Sequence, residues 1–434
     1  MVLCLPRTRL PVASRTLRRW ASSTSTSTSG ATGASAACIE LEKKYGALNY
    51  KPLPVVLAKG RGVEVWDVDG KRYLDMLSAY SAVNQGHCHP RLVAAMSKQA
   101  EVLTLTSRAF HNDQLGRYEE YMSKLFGYDR LLPMNTGVEA CETAVKLARR
   151  WAYDVKKVKP NAARVVFARG NFWGRSLAAV SASSDPTCSA RFGPFMPNFD
   201  LIDYNDTKAL EKAVSHPDCA AFMVEPIQGE AGVIVPDPGY LKEVSRICKK
   251  NNVLFIADEV QTGIGRTGRM LCVDHDNVRP DLVILGKALS GGMMPVSAVL
   301  ADDEVMLTIG PGEHGSTYGG NPLACVVAME ALDIIQDENL CENAERLGAV
   351  FRDELSKTHP DIIQAVRGKG LLNAIVIKPK GDKTAWDLCL QMKDRGLLAK
   401  QTHTHIIRFA PPLVINEDQV AESIDIINAA IAAY

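Results

Sequence analysis

A chain of 434 residues with 46% hydrophobic and 23% charged residues has the balance of a globular protein, long enough for one large domain and a smaller one. Its formal charge of +1 argues against a nucleic-acid binder, whose basic face usually carries a domain well above neutrality. No apolar run approaches the roughly 20 residues of a membrane-spanning helix, so neither nucleic acid nor membrane is an expected partner.

From the N-terminus, residues 1–36 stand apart. Arg7, Arg9, Arg15, Arg18 and Arg19 accompany a Ser/Thr run from Ser22 to Ser29, and no acidic residue precedes Glu40. An arginine-rich, serine-rich, acid-poor segment predicts a mitochondrial transit peptide, with a disordered low-complexity tail as the plainer alternative. The 11 cysteines show no C-x-x-C pair, which suits a reducing compartment such as the mitochondrial matrix. Past this leader the expected division is residues 37–90, the N-terminal segment of a small domain, then 91–330, a large domain, then 331–434, the C-terminal part of the small one.

VEVWDVDGKRYLDM (63–76) alternates as two short strands around Asp69-Gly70, a pair that favours a tight turn. In GHCHP, His87 and His89 are possible metal ligands, but no further ligand follows at a recognisable spacing. The pair reads as a polar turn opening a helix, and no metal is expected. MNTGVEACETAVKLARR (134–150) supplies a strand end, a small loop at Thr136-Gly137 and an amphipathic helix whose inward stripe is Val138, Cys141, Val145, Ala148 and Trp151. Short apolar runs then recur at RVVFA (164–168), AFMV (221–224), VLFIA (253–257) and LVIL (282–285), with Leu241, Val244, Ile247 and Cys248 at helical spacing between them. Runs without alternation predict strands covered on both faces: an α/β fold with a mostly parallel central sheet under helices, whose ligands sit at the carboxyl ends of the strands. The last hundred or so residues predict a smaller α+β unit closed by a helix carrying Val420, Ile424, Ile427 and Ile431.

GIGRTG (263–268) matches the dinucleotide-binding pattern G-x-G-x-x-G. Its context fails, because two carboxylates, Asp258 and Glu259, stand where a pyrophosphate would have to approach, and too little chain precedes Pro280 for the required helix. A nicotinamide-dependent dehydrogenase is therefore the weaker enzyme reading. Lys287 is more informative. It closes the strand LVIL, so its amine lies at the ligand edge of the sheet, where partial desolvation lowers its pKa and leaves more of it as the free nucleophile. Asp258 ends another apolar run one crossover upstream and reaches the same crevice. A lysine for an aldehyde and a carboxylate for a pyridine nitrogen together make the protein half of pyridoxal phosphate chemistry. The helix opening after Thr136-Gly137 offers amides to a phosphate, and NFWGR (171–175) offers Phe172 and Trp173 as a lid.

Taken together, PMNTGVEACE, NFWGRS, EPIQGEAGV, LFIADEVQTGIGRTG, LGKALSGG and HGSTYGGNP resemble the class III, or ω-amino, aminotransferases of fold type I. The resemblance covers nearly the whole chain after the leader. It implies that Lys287 binds the pyridoxal 5′-phosphate aldehyde and later moves the substrate proton, that Asp258 pairs with the ring nitrogen, and that Gln261 reaches the ring hydroxyl. It further implies that Phe172 and Val260 cover the two ring faces and that Gly137 and Val138 take the phosphate. Thr317 would add a hydroxyl from a neighbouring subunit, which makes a homodimer the smallest active unit.

Specificity rests on fewer matches. Tyr50 in LNYKPLPVV corresponds to a tyrosine that meets the α-amino group in members acting on ornithine, and Tyr80 in SAYSAVNQGH to one that shapes their pocket. Arg175 matches the arginine that binds the substrate carboxylate, and Glu230 and Arg408 match a pair gating a second carboxylate site. The resemblance thus implies transfer of the δ-amino group of L-ornithine to 2-oxoglutarate, with members acting on acetylornithine or 4-aminobutyrate as the alternatives. A catalytically inert homologue serving as a scaffold is the alternative outside enzymes, and a yellow protein that reacts with ornithine would exclude it.

Overall fold

A computed structural model describes residues 33–434. The arginine-rich stretch falls outside the described residues. The chain divides into two compact units, one running to Val56 and the other Leu57–Tyr434. In the first, a helix at Ala34–Tyr45 ends where the Gly46 N–H bonds back to the Glu42 carbonyl, and the irregular segment after it carries Tyr50.

The second unit holds fifteen strands among the described residues: β1 (Leu57–Arg61), β2 (Glu64–Asp67), β3 (Arg72–Asp75), β4 (Arg130–Met134), β5 (Arg164–Ala168), β6 (Phe199–Ile202), β7 (Cys219–Val224), β8 (Leu254–Asp258), β9 (Leu282–Leu285), β10 (Ser297–Ala301), β11 (Ile363–Lys369), β12 (Leu372–Ile377), β13 (Leu397–Leu398), β14 (Lys400–Thr402) and β15 (Ile406–Phe409). Seven of them form the central sheet, in the order β4-β10-β9-β8-β7-β5-β6. Neighbours from β9 to β6 pair in parallel, and β10 runs antiparallel to both β9 and β4. Strands β7, β8 and β9 are buried along their whole length, as the unbroken apolar runs require of strands covered on both faces.

One cover is the helix Gly137–Asp154, which buries Cys141, Val145, Ala148 and Trp151 as its sequence stripe predicts, while Val138 remains partly exposed. Each large apolar side chain so buried contributes roughly 1.5–3 kcal/mol relative to exposure. Thr136 and Glu139 form a reciprocal capping box that fixes where this helix starts. The expected hairpin is present. Asp67 Oδ1 accepts the Asp69 and Lys71 N–H groups, and Gly70, at φ +86°, takes the left-handed turn position.

Two four-stranded sheets complete this unit. In β1-β2-β3-β13 a C-terminal strand pairs in parallel with an N-terminal one. In β11-β12-β15-β14, β15 places Arg408 beside the carboxyl edge of the central sheet.

Candidate active site

Three adjacent strands end in chemistry. Glu225 follows β7, Asp258 closes β8 and Lys287 follows β9 across Gly286. Lys287 has φ +44°, in the left-handed region, which costs a non-glycine residue about 1–2 kcal/mol. A short turn over Lys287–Ser290 holds it there. Burial draws the Lys287 amine below its ordinary pKa, opposed by the charges of Asp258, Glu230 and Glu225. Burial likewise pushes Asp258 up, against the Val260 N–H at 3.1 Å, the Lys287 charge and the Cys141 thiol, whose Sγ lies 3.6 Å from Oδ2. Glu225, which accepts the Phe172 N–H at 2.9 Å, is pushed well above the carboxylate range by burial and then by Asp258.

These groups line a cavity of about 260 Å³ together with Gly137, Val138, Phe172, Trp173, Gly174, Ile227, Val260, Gln261 and Thr262. The cavity has room for one ring-sized group. Val260 packs over the helix start, where a Cβ on Gly137 would meet its Cγ1 at 3.1 Å. A Cβ on Gly229 would lie 1.6 Å from Gln261 Oε1, so only glycine lets the Gln261 amide occupy its place. That amide hydrogen-bonds Glu230. Glu230 in turn takes both guanidinium nitrogens of Arg408, at 2.7 and 3.2 Å. Against its burial, Arg408 and Gln261 hold the Glu230 carboxyl below the usual range. The Arg408 side chain is only 5% exposed, while Glu230 keeps 30% of its side chain exposed, so the guanidinium is shielded from water and its partner carboxylate is only partly so.

The Tyr80 ring backs Arg408, with its centroid 5.2 Å from the guanidinium carbon. Its backbone is unusual. Ser78, Ala79, Tyr80 and Ser81 all have positive φ, between 43° and 58°, a left-handed turn with no glycine in it. At about 1–2 kcal/mol per residue such a turn needs external support. Asp75 supplies part of it, since Oδ1 accepts the Leu77 and Ser78 N–H groups while Oδ2 meets His87 Nε2 at 2.7 Å. His89 instead faces Glu338 and precedes the helix Pro90–Ala100, so the two histidines serve different carboxylates.

Residues 45–431 match the family model Aminotransferase class-III. Mitochondrial ornithine aminotransferase of Rattus norvegicus is 63% identical over 395 residues, covering 91% of this chain and 90% of its own. The chain belongs to the class III aminotransferases, among the ornithine aminotransferases. Among solved structures, the ornithine aminotransferase of Toxoplasma gondii ME49 superposes with a TM-score of 0.91 at 48% identity, covering 93% of this chain and 96% of its own. An acetylornithine aminotransferase from Elizabethkingia anophelis gives 0.85 at 55% identity, covering 93% and 100%.

Class III aminotransferases depend on pyridoxal 5′-phosphate, and this cavity fits it. The first-turn amides of Gly137 and Val138 have no intrahelical acceptors and suit a phosphate. Phe172 and Val260 offer apolar surfaces for a ring, and Asp258 offers a buried anion. Arg175 sits at the surface, its guanidinium 5.5 Å from the Phe172 ring centroid, and does not line the cavity. Thr317 is exposed and also outside it, and Tyr50 is exposed in the N-terminal unit.

Sequence reasoning misses several members of this aminotransferase site. The strand-end rule that picks out Asp258 would also have picked out Glu225. Cys141 reads as part of the core stripe, although helical geometry turns the first residues of that stripe toward the strand ends. Trp173, expected in the lid, does line the cavity, and its ring also stacks on Phe167 at 5.8 Å. Ile227 and Thr262 carry no signal beyond their neighbours in sequence.

Proposed function

We propose that the chain transfers the δ-amino group of L-ornithine to 2-oxoglutarate, giving L-glutamate and glutamate 5-semialdehyde, which cyclises to pyrroline-5-carboxylate. Bound pyridoxal 5′-phosphate supplies the electron sink for the exchange. Lys287 would carry it and move the proton at the amine-bearing carbon, both tasks for the neutral amine that burial favours. Asp258 would keep a proton on the ring nitrogen, Gln261 would reach the ring hydroxyl, Phe172 and Val260 would bracket the ring, and the Gly137 and Val138 amides would take the phosphate. Thr317 would complete the phosphate site of a second copy, so a homodimer is the smallest active unit. Its exposed place outside the cavity of its own chain supports this. Residues 91–330, which contain all seven strands of the central sheet, would act as the cofactor domain.

The observation that carries this reading is the closed Glu230–Arg408 pair beside Lys287. Glutamate brings two carboxylates and needs two cations, Arg175 and Arg408. Ornithine brings one, at the far end from the reacting amine, and Tyr50 would meet its α-amino group. With ornithine bound, a bare Arg408 would attract that carboxylate and turn the substrate round. Glu230 masks Arg408 until a dicarboxylate competes for it.

Glu230→Ala should raise the efficiency of the glutamate half-reaction and lower the regiospecificity for ornithine. Arg408→Ala should damage the glutamate side far more than the ornithine side. Stopped-flow half-reactions with each amino acid separate these effects, and equal changes on both substrates in Glu230→Ala would refute the gate.

The likeness to an acetylornithine aminotransferase supports a second reading, in which the α-amino group is acylated. Comparing kcat/KM for ornithine and N-acetylornithine in the parent and in Tyr50→Ile decides between them. A preference for ornithine that Tyr50→Ile abolishes supports the first.

The rat relative is named as mitochondrial, and the arginine-rich leader agrees, so we place the protein in the mitochondrial matrix. Residues 1–40 fused to a fluorescent reporter should carry it to mitochondria. A diffuse cytosolic signal would refute the assignment.

A further inference from the structure

At the centre of the GIGRTG segment lies Arg266, which is 0% exposed and among the largest fully buried side chains. It forms no ion pair among the described residues. Instead its guanidinium collects neutral acceptors from three distant stretches. Nη1 donates to the carbonyls of Leu371 at 3.0 Å and Pro411 at 2.6 Å, and Nη2 donates to Ser78 Oγ at 3.0 Å and Asn84 Oδ1 at 2.5 Å. Nε has no acceptor among the described residues, and burial pulls the group down to about 9, opposed by the nearby charge of Asp75.

For stability alone this is a poor arrangement, because a packed apolar side chain of similar volume usually does as well as a buried charge. What the guanidinium joins is more telling. Ser78 opens the left-handed turn that carries Tyr80, and its hydroxyl donates onward to the Ala410 carbonyl at 2.6 Å. Ala410 and Pro411 directly follow β15, which carries Arg408. Arg266 therefore bonds both the side chain of Ser78, which opens the turn carrying Tyr80, and the segment directly after the strand that carries Arg408.

We propose that Arg266 is the positioning residue of the carboxylate gate: by fixing the turn Ser78–Ser81 against the end of β15 it holds the Tyr80 ring on Arg408, and so sets how readily Arg408 exchanges Glu230 for a substrate carboxylate. This rests on the gating role of Glu230 and Arg408 proposed above. Loosening the turn lets Tyr80 move off Arg408 and weakens the site for the second carboxylate. Sites for the cofactor and for a single substrate carboxylate are untouched.

The test compares Ser78→Ala, Arg266→Lys and Glu230→Ala with the parent, all loaded with cofactor, in separate half-reactions with glutamate and with ornithine. Ser78→Ala removes one acceptor of the guanidinium and is the decisive variant should Arg266→Lys fold poorly. In Ser78→Ala, KM for glutamate should rise about tenfold, the scale of one lost charge-assisted hydrogen bond, while kcat for ornithine changes less than about twofold. The share of ornithine that reacts at its α-amine should not rise, because Glu230 still masks an Arg408 that now binds carboxylates less well, whereas in Glu230→Ala it should rise. A merely structural role would lower both half-reactions in step with a fall in Tm, leaving the substrate ratio unchanged. If Glu230→Ala shifts the ratio and Ser78→Ala does not, the positioning role is overturned and the gate stands. If Glu230→Ala leaves the ratio unchanged, the gate falls and this inference falls with it.

Discussion

Lys287→Ala is expected to lose turnover of ornithine and 2-oxoglutarate by at least about 10³-fold, of which proton transfer by a positioned base accounts for roughly 10²–10⁴ in comparable cases. The structure gives the reason. The amine stands at the carboxyl edge of the central sheet, at the end of a fully buried strand, with burial lowering its pKa and three carboxylates near enough to oppose that shift. On the proposed role, removing the side chain removes both the nucleophile for the cofactor and the base for the proton, and among the described residues no second lysine lines the cavity. Borohydride treatment gives an independent readout. In the parent it should fix the cofactor covalently to the peptide containing Lys287, as mass spectrometry reads, and in Lys287→Ala it should fix none. Turnover within tenfold of the parent would contradict the assignment.

Asp258→Ala is expected to slow proton abstraction from ornithine by about 10³-fold. Two charges about 4 Å apart interact by roughly 4 kcal/mol at an effective dielectric near 20, and that difference in barrier corresponds to about three powers of ten. Asp258 is 4% exposed, so water does little to screen it. Asp258→Asn separates charge from shape: it keeps an acceptor for the Val260 N–H and loses the anion. The asparagine variant should fall nearly as far as the alanine one. A loss under tenfold in either would show that the carboxylate does not stabilise the charge that develops during the reaction.

Much of this site is legible in the sequence because it obeys a local rule. A strand ending in Asp258 and an apolar run ending at Leu285, two residues before Lys287, place both groups at one sheet edge, and parallel pairing of β8 with β9 brings them together. The Thr136–Glu139 capping box and the stripe along its helix are legible for the same reason, since their determinants lie within one or two turns. What escapes is set by contacts distant in sequence. Nothing in Ser78-Ala79-Tyr80-Ser81 announces a left-handed turn, because it contains no glycine. Asp75 supports it from nearby, but Arg266 reaches it from 188 residues away. Arg266 itself is hidden by its setting, since GIGRTG invites a reading through its glycines. Strand β10 also escapes, because SAVLA lies so soon after Lys287 that only its antiparallel pairing with β4 and β9 defines it.

The measurement that bears most directly on the central claim is a single turnover. Purified protein loaded with pyridoxal phosphate is mixed with L-ornithine in the absence of any oxo acid, the cofactor absorbance is followed, and the product is identified. The account predicts that ornithine discharges the cofactor absorbance, that the carbon product is glutamate 5-semialdehyde in its cyclised form, and that 2-oxoglutarate then restores the absorbance with formation of glutamate. A spectrum that responds to N-acetylornithine but not to ornithine, or a product that has lost the α-amine in place of the δ-amine, would contradict it.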